Sequence, residues 1–345
     1  MLIAGGLSLV VVGIILWNPH GAEFISFETL PYLVLASNSA HFAASTLRLY
    51  TKPGAYQSMP YVTMALPLVA VLLLSMCMFQ AETWGPHLTS LYLTWSPYHY
   101  AAQAYGLAVM YCYRSGCMLN ASNKKLLWWA SMLPFFYNFT LGDRVGLDWL
   151  DGGGWLANPN AATALRWFEL VMPAVACGAM LYLFWRIWRS EARPMPVISF
   201  LMLITNAVWW FVLPPLQAFV WATIFHGIQY LAIVIIFHVR DQIRRPDARR
   251  GDQYRMMRFF WTSNETVARL YHIVWFYGVC FLLGYGLFNC FPLAYVFAGF
   301  GPVESVLLVA AAINIHHFVV DAYIWRLKKG DTNRTIVDSG ATASS

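Results

Sequence analysis

Charge is the scarcest property of this sequence. Only 11 % of its 345 residues are Asp, Glu, Lys or Arg, against about 25 % in soluble domains, and with a mean hydropathy of +0.53 a soluble globular protein is excluded. Lysine is rarer still: Lys52, Lys124, Lys125, Lys328 and Lys329 are all of it, and none lies in the middle of a long apolar run. A retinal-type pigment, which needs a mid-membrane lysine for its Schiff base, is excluded with them. Cysteine supplies no metal site either. Cys77, Cys112, Cys117, Cys177, Cys280 and Cys290 are scattered without a C-x-x-C pair, and most sit in apolar runs where a free thiol packs as a small hydrophobe. The chain also lacks the G-x-S-x-G of a serine hydrolase, an internal repeat, and any strand-and-helix context that would make Gly152 to Gly154 a phosphate loop.

What is present is apolar length. Runs long enough to cross a bilayer, about 17–25 residues each, occupy 2–17, 29–50, 61–80, 88–113, 125–141, 166–188, 194–213, 216–239, 268–290 and 302–326. The chain is therefore expected to be all-α, a polytopic transmembrane helix bundle of about ten spans. It forms one domain over residues 1–329, followed by a polar, disordered tail at 330–345. Met1 to Trp17 has neither a basic start nor a small-residue cleavage site and is kept as the first span.

Basic residues gather in alternate loops: Arg48 and Lys52, then Arg114, Lys124 and Lys125, then Arg186, Arg189 and Arg193, then seven arginines from Arg240 to Arg258, and finally Arg326, Lys328 and Lys329. The intervening loops hold only Arg144 and Arg166 among acids such as Glu23, Glu82 and Asp151. This bias puts both termini in the cytoplasm. It also accounts for the formal charge of +6 through the anionic inner leaflet, with no nucleic acid required. The cytoplasmic loop at about 240–264 reads as an interfacial helix. The expected setting is the bacterial inner membrane, with the lipid bilayer itself as the first partner.

Against this background the stretch Ile313 to Trp325, INIHHFVVDAYIW, stands out. Polar groups in hydrocarbon cost several kcal/mol each unless paired or bound, so such a cluster marks a functional site. On a helix His317 and Asp321 share a face, while His316 points about 100° away. Asp321 is therefore expected to act with His317, leaving His316 as the independent ligand.

Of nine histidines, His20 and His87 fall in or beside outer loops, and His238 and His272 lie close to Arg240 and Arg269 at the inner interface. His41, His99, His226, His316 and His317 lie inside spans that run in the same direction. Counting to the next inner basic residue gives 7, 15, 14 and 10 residues from His41, His99, His226 and His316. At about 1.5 Å per residue the spread is about 12 Å, which tilt and uneven loops can absorb. Each of the four helices also carries a polar neighbour on the histidine's face: Asn38, Gln103, Gln229 and Asp321. Asp321, Gln103 and Gln229 are the candidates for orienting the imidazoles or meeting an oxidant. One metal centre is a simpler account than four separate hydrogen bonds between helices. Imidazole with little carboxylate and no thiolate suits Fe, Cu or Zn, and non-haem iron with O2 as co-substrate is the expectation. A pair of haems would need paired histidines 13 or 14 apart on shared helices, and only His226 and His238, twelve apart, come near. Aromatic residues around His99, His226 and His317 suit a lipophilic substrate such as a carotenoid. Reducing equivalents would come from an electron donor at the cytoplasmic face. A proton- or ion-coupled transporter built on the same histidines and Asp321, and a haem-bearing electron carrier, are the alternatives.

Two short stretches, PHGAEF (Pro19 to Phe24) and SPYHY (Ser96 to Tyr100), resemble the PHGA-type and S-x-x-H-[FY] motifs of the Brp/Blh family of integral-membrane carotenoid oxygenases. The resemblance implies an all-helical membrane enzyme that holds iron through histidines and splits β-carotene to retinal, and it makes His20 a ligand candidate in place of His41. The chain departs from that family in its second half, where HGIQYL (His226 to Leu231) supplies one histidine instead of a close pair, and in the added HHFVVD stretch.

Overall fold

The computed structural model describes residues 2–18, 29–51, 55–141, 145–151, 154–243 and 265–324. His20 and the PHGAEF stretch, most of the basic 240–264 loop and the 330–345 tail lie outside the described residues. Within them the chain is helical, with no strand. The elements are α1 (Leu2–Trp17), α2 (Leu30–Val34), a π-helical turn (Leu35–Ser39), α3 (Ala40–Thr51), α4 (Ala55–Ser58), a second π turn (Tyr61–Ala65) and α5 (Leu66–Phe79). The long α6 (Ala81–Arg114) follows, then α7 (Ala121–Thr140), α8 (Val145–Leu150), α9 (Pro159–Ser190), α10 (Val197–Val212) and α11 (Pro215–Ile243). The chain continues through α12 (Glu265–Tyr285), a third π turn (Gly286–Cys290), α13 (Phe291–Phe297) and α14 (Pro302–Ile324).

Among the described residues, five helical stretches are long and apolar enough to cross a membrane: Tyr61–Phe79, Pro159–Ser190, Gln217–Arg240, Thr266–Phe297 and Pro302–Ile324. Gly6–Trp17 and Val197–Val212 are apolar but shorter. α3, α6 and α7 fall below that standard of hydropathy because they bury polar side chains, among them His41, Ser45, His99, Asn123, Ser131 and Asn138. The outer surface is apolar where a bilayer would lie. On α9, Trp167 and Trp188 are 63 % and 66 % exposed and stand about 31 Å apart along the axis, the thickness of a hydrocarbon core flanked by aromatic anchors.

Burial separates the lipid-facing helices from the central one. Only 17 % of the apolar window of Thr266–Phe297 is buried, against 67 % of that of Gln217–Arg240, so α11 runs through the interior. It packs on α3, α10 and α12; α6 packs on α7, α10 and α14; α14 closes back on α3 and α5. Four helices from distant parts of the chain, α3, α6, α11 and α14, thus converge on one interior region.

Backbones approach closely at the first π turn. A Cβ at Gly227 of α11 would lie 2.9 Å from the carbonyl of Ser37, and one at Gly284 of α12 would lie 2.7 Å from the carbonyl oxygen of Ser39. These two glycines let α11 and α12 back directly onto Leu35–Ser39 and hold it from two sides, the small-residue logic of helix packing in lipid. All six cysteines are free thiols.

Gly227→Ala and Gly284→Ala are each expected to destabilise the protein by about 1–3 kcal/mol through overpacking. At Gly178 on α9 a Cβ would meet nothing within 4 Å, so Gly178→Ala should be neutral or stabilising by up to about 1 kcal/mol. Thermal denaturation in detergent compares the three, and equal effects would show that the glycines do not set this packing.

Candidate metal centre

The four interior helices each bring one imidazole to the same point. His41 is the second residue of α3, directly after the π turn, and turns of this kind recur at functional sites because they re-aim the side chains just beyond them. His99 comes two residues after Pro97 inside α6, where proline cannot donate to the helical ladder. His226 precedes Gly227, so the close approach of α11 to the π turn also carries His226 to His41. His317 comes from the inward face of α14.

The rings form a closed circuit. Ring centroids are 4.9 Å apart for His41 and His226, 4.9 Å for His226 and His99, 5.0 Å for His99 and His317, and 4.5 Å for His317 and His41, all edge-on. One ring nitrogen from each of the four lies within 4.8 Å of the other three, and all four residues are buried. Nε2 of His41 and Nε2 of His317 are 3.0 Å apart. Nε2 of His99 and Nε2 of His226 are buried and have no hydrogen-bond partner.

This arrangement fits a metal ion. Imidazole nitrogens bind divalent ions at about 2.0–2.1 Å, so two of them at a right angle are about 3.0 Å apart and two opposite ones about 4.2 Å. Contraction of the group by about half an ångström brings its widest pair within that limit. The bound rings would have centroids about 4.5 Å apart at right angles and about 5.2 Å at tetrahedral angles, and the four sides of the circuit fall in that range.

Groups around the rings fix their orientation. Nδ1 of His41 lies 2.9 Å from the backbone carbonyl of Asn38; a carbonyl only accepts, so the hydrogen is on Nδ1 and the lone pair of the neutral ring on Nε2. Nδ1 of His317 lies 2.6 Å from the hydroxyl of Ser45. The Tyr230 hydroxyl is 3.1 Å from Ser45 Oγ and donates to Oδ1 of Asp321 at 2.6 Å. The other carboxylate oxygen, Oδ2, is 3.4 Å from His317 Nε2 and 3.8 Å from His99 Nε2. Outside this polar set the walls are aromatic: Phe318 stacks on His99 at 4.5 Å, Tyr100 lies 4.4 Å from His226, and Phe42 lies 4.5 Å from His317. Buried carboxylate in such surroundings is costly unless positive charge or donors compensate it.

The sequence-derived candidates divide accordingly. His41, His99, His226 and His317 are brought together, with Asp321 at their edge. His316, expected as the independent ligand, is outside the group; it is half-buried and its Nε2 has no hydrogen-bond partner. The inward face of α14 is the one that His317 shares with Asp321, one turn apart, so His316 necessarily points elsewhere. Gln103 donates to the backbone carbonyl of His226 at 3.4 Å, and Nε2 of Gln229 has no partner, so neither amide is hydrogen-bonded to an imidazole. Asn38 contributes its carbonyl, not its side chain. Ser45 is a neighbour of the rings that the sequence reading does not name, and Tyr230 enters that reading only as one of the aromatic residues around His226. Each stands four residues after a histidine, His41 and His226 respectively, and that spacing on a shared face is the signal that could have found them. His238 and His272 form a separate ring contact at 6.2 Å, and His87 accepts from the indole of Trp149 at 3.1 Å.

No protein-family profile, curated protein or solved structure matches the chain. The fold and site define it as an all-helical membrane protein with a buried four-histidine group able to hold a metal ion.

Purified protein is expected to bind about one divalent ion per chain and to be stabilised by about 2.7 kcal/mol at a metal concentration one hundred times Kd. Alanine at His99 or His226 should abolish both, and alanine at His316 should leave both unchanged. Elemental analysis and melting curves check this; loss of the metal from His316→Ala alone would reverse the assignment.

Proposed function

We propose that the protein is a membrane-embedded non-haem metal oxidoreductase that acts with O2 on a lipophilic substrate. The observation that carries this reading is the closed circuit of four buried imidazoles with two unpartnered Nε2 atoms. Iron is the ion we assign. The His41–His317 pair, with Nε2 atoms 3.0 Å apart, suits a right angle, whereas the other three sides of the circuit, with ring centroids 4.9–5.0 Å apart, lie nearer the tetrahedral value, so the donor set carries the choice of ion. A neighbouring carboxylate without thiolate suits iron better than Cu(I). A ferrous ion with an open coordination position would supply the activation of O2.

The chain's own residues supply the rest. The Asn38 carbonyl and the Ser45 hydroxyl orient His41 and His317. Phe42, Tyr100 and Phe318 exclude water from the rings. The aromatic walls and the surrounding bilayer favour a long apolar substrate such as a carotenoid, which agrees with the likeness of Ser96 to Tyr100 to the Brp/Blh carotenoid oxygenases. In this reading ten segments cross the bacterial inner membrane with both termini cytoplasmic, and electrons arrive from a donor at the cytoplasmic face.

One observation favours a second reading. His41, His317, Ser45, Tyr230 and Asp321 are joined by consecutive contacts of 2.6–3.1 Å, a chain that can pass protons without any metal, as a proton-coupled transporter would require.

Iron-loaded protein in nanodiscs, given a carotenoid and air, is expected to consume O2 and bleach the polyene absorbance, with His99→Ala inactive. A protein that takes up no iron but moves protons across proteoliposomes, and loses that flux in Tyr230→Phe, would replace the oxidoreductase with the transporter.

A further inference from the structure

The polar groups beside the four histidines do more than fill space. Asp321 is 6 % exposed, and its two oxygens have different surroundings. Oδ1 accepts from the Tyr230 hydroxyl at 2.6 Å, whereas Oδ2 faces the Nε2 atoms of His317 and His99 at 3.4 Å and 3.8 Å. Both distances lie between the separations of adjacent and opposite ligands on one ion, about 3.0 Å and 4.2 Å. Oδ2 is therefore placed as a further ligand along the His99–His317 edge. Tyr230 is in turn held by Ser45 Oγ at 3.1 Å, and Ser45 also meets Nδ1 of His317 at 2.6 Å. When Nδ1–H of His317 donates to Ser45 Oγ, the Ser45 hydroxyl can donate to the backbone carbonyl of His41 at 3.3 Å and the Tyr230 hydroxyl to Asp321 at 2.6 Å. His317 Nε2 then presents its lone pair on the side that Asp321 Oδ2 faces.

We infer that Asp321 is a fifth ligand of the four-histidine centre, and that Ser45 and Tyr230 are positioning residues that set its carboxylate and the His317 tautomer together. The inference rests on the metal-centre reading. It makes the site a four-nitrogen, one-oxygen site, selective for ions that accept five or six ligands over those that prefer four. The carboxylate also offsets one of the two positive charges in a dry interior.

Cobalt(II) is a suitable probe because its visible bands are weak at coordination numbers of five and six and several-fold stronger in a tetrahedral site. Full-length apoprotein in detergent is titrated with Co2+ alone. Wild type is expected to give weak bands. Asp321→Leu, whose methyl groups exclude a replacement water, should give several-fold stronger ones. Tyr230→Phe keeps the ring and removes only the hydroxyl; it should bind Co2+ roughly tenfold more weakly and show intensified bands, and Ser45→Ala should shift in the same direction. If Asp321→Leu does not fold, Tyr230→Phe decides, since a purely structural role would lower apoprotein stability without altering band intensity per bound cobalt. Strong tetrahedral bands in wild type, or variants identical to wild type, overturn the five-ligand inference alone. A wild-type protein that binds no cobalt overturns the metal-centre reading and this inference with it.

Discussion

Two ring nitrogens held 3.0 Å apart, His41 Nε2 and His317 Nε2, govern the chemistry of this molecule. The carbonyl of Asn38 holds the His41 hydrogen on Nδ1, so a lone pair of His41 faces its neighbour in a region from which water is excluded. A second lone pair cannot stand opposite it without something positive between them. Either His317 carries its hydrogen on Nε2 and donates across the gap, or a cation takes both lone pairs together with those of His99 and His226. The cation also gives partners to the two Nε2 atoms that have no hydrogen-bond partner within the protein, and burying unpaired polar groups in hydrocarbon is what membrane proteins otherwise avoid.

The scaffold can be understood as the means of imposing that spacing. Four helices far apart in sequence must meet within the width of a few rings, although lipid offers little hydrophobic force to press them together. Close backbone approach does it instead: Gly227 and Gly284 admit α11 and α12 to contact with Ser37 and Ser39, and this clamps the turn that carries the Asn38 carbonyl and so fixes His41. The positioning of one imidazole thus depends on two glycines from other helices and one widened turn. A side chain at either glycine would act on the site through the backbone, without touching a ring.

Much of this is legible in the sequence, for physical reasons that also set its limits. A charge content of 11 % admits only a membrane protein, and histidines in apolar runs are costly enough to be conspicuous. Counting residues from each histidine to the next basic residue compares depths if the helices run in the same direction, and it puts His99 and His226 level, at 15 and 14 residues, with His41 at 7 left to tilt and uneven loops. The choice between His316 and His317 is not readable in the same way. α14 is apolar on most sides, but Asn314, His317 and Asp321 recur at i, i+3 and i+7 on the face it buries, a polar stripe that His316, about 100° away, does not share. Ser45 and Tyr230 are inconspicuous because hydroxyl residues are ordinary in membrane helices, where most simply bond the carbonyl one turn back, as Thr46 does to Phe42. Only their distance to the other helices gives them meaning. The π turn has no visible mark in the sequence; its close packing against the two glycines appears only in the structure.

The tautomer of His317 joins these levels. Ser45 can donate to Nδ1, which fixes the hydrogen on Nε2 and completes a metal-free chain from His41 to Asp321. Alternatively Ser45 can accept from Nδ1, which frees Nε2 and turns the Tyr230 and Asp321 end of the same chain toward the centre. Rotation of one hydroxyl, together with transfer of the His317 ring proton from Nε2 to Nδ1, therefore separates a proton relay from a metal site, with no change in the helices. The Ser45 hydroxyl is free to follow because it lies within reach of the His41 carbonyl at 3.3 Å and of Tyr230 at 3.1 Å. The state with the fewest unpaired buried nitrogens is the one in which a cation holds all four. The apolar surroundings that make unpaired imidazole nitrogens costly thus favour binding of the ion.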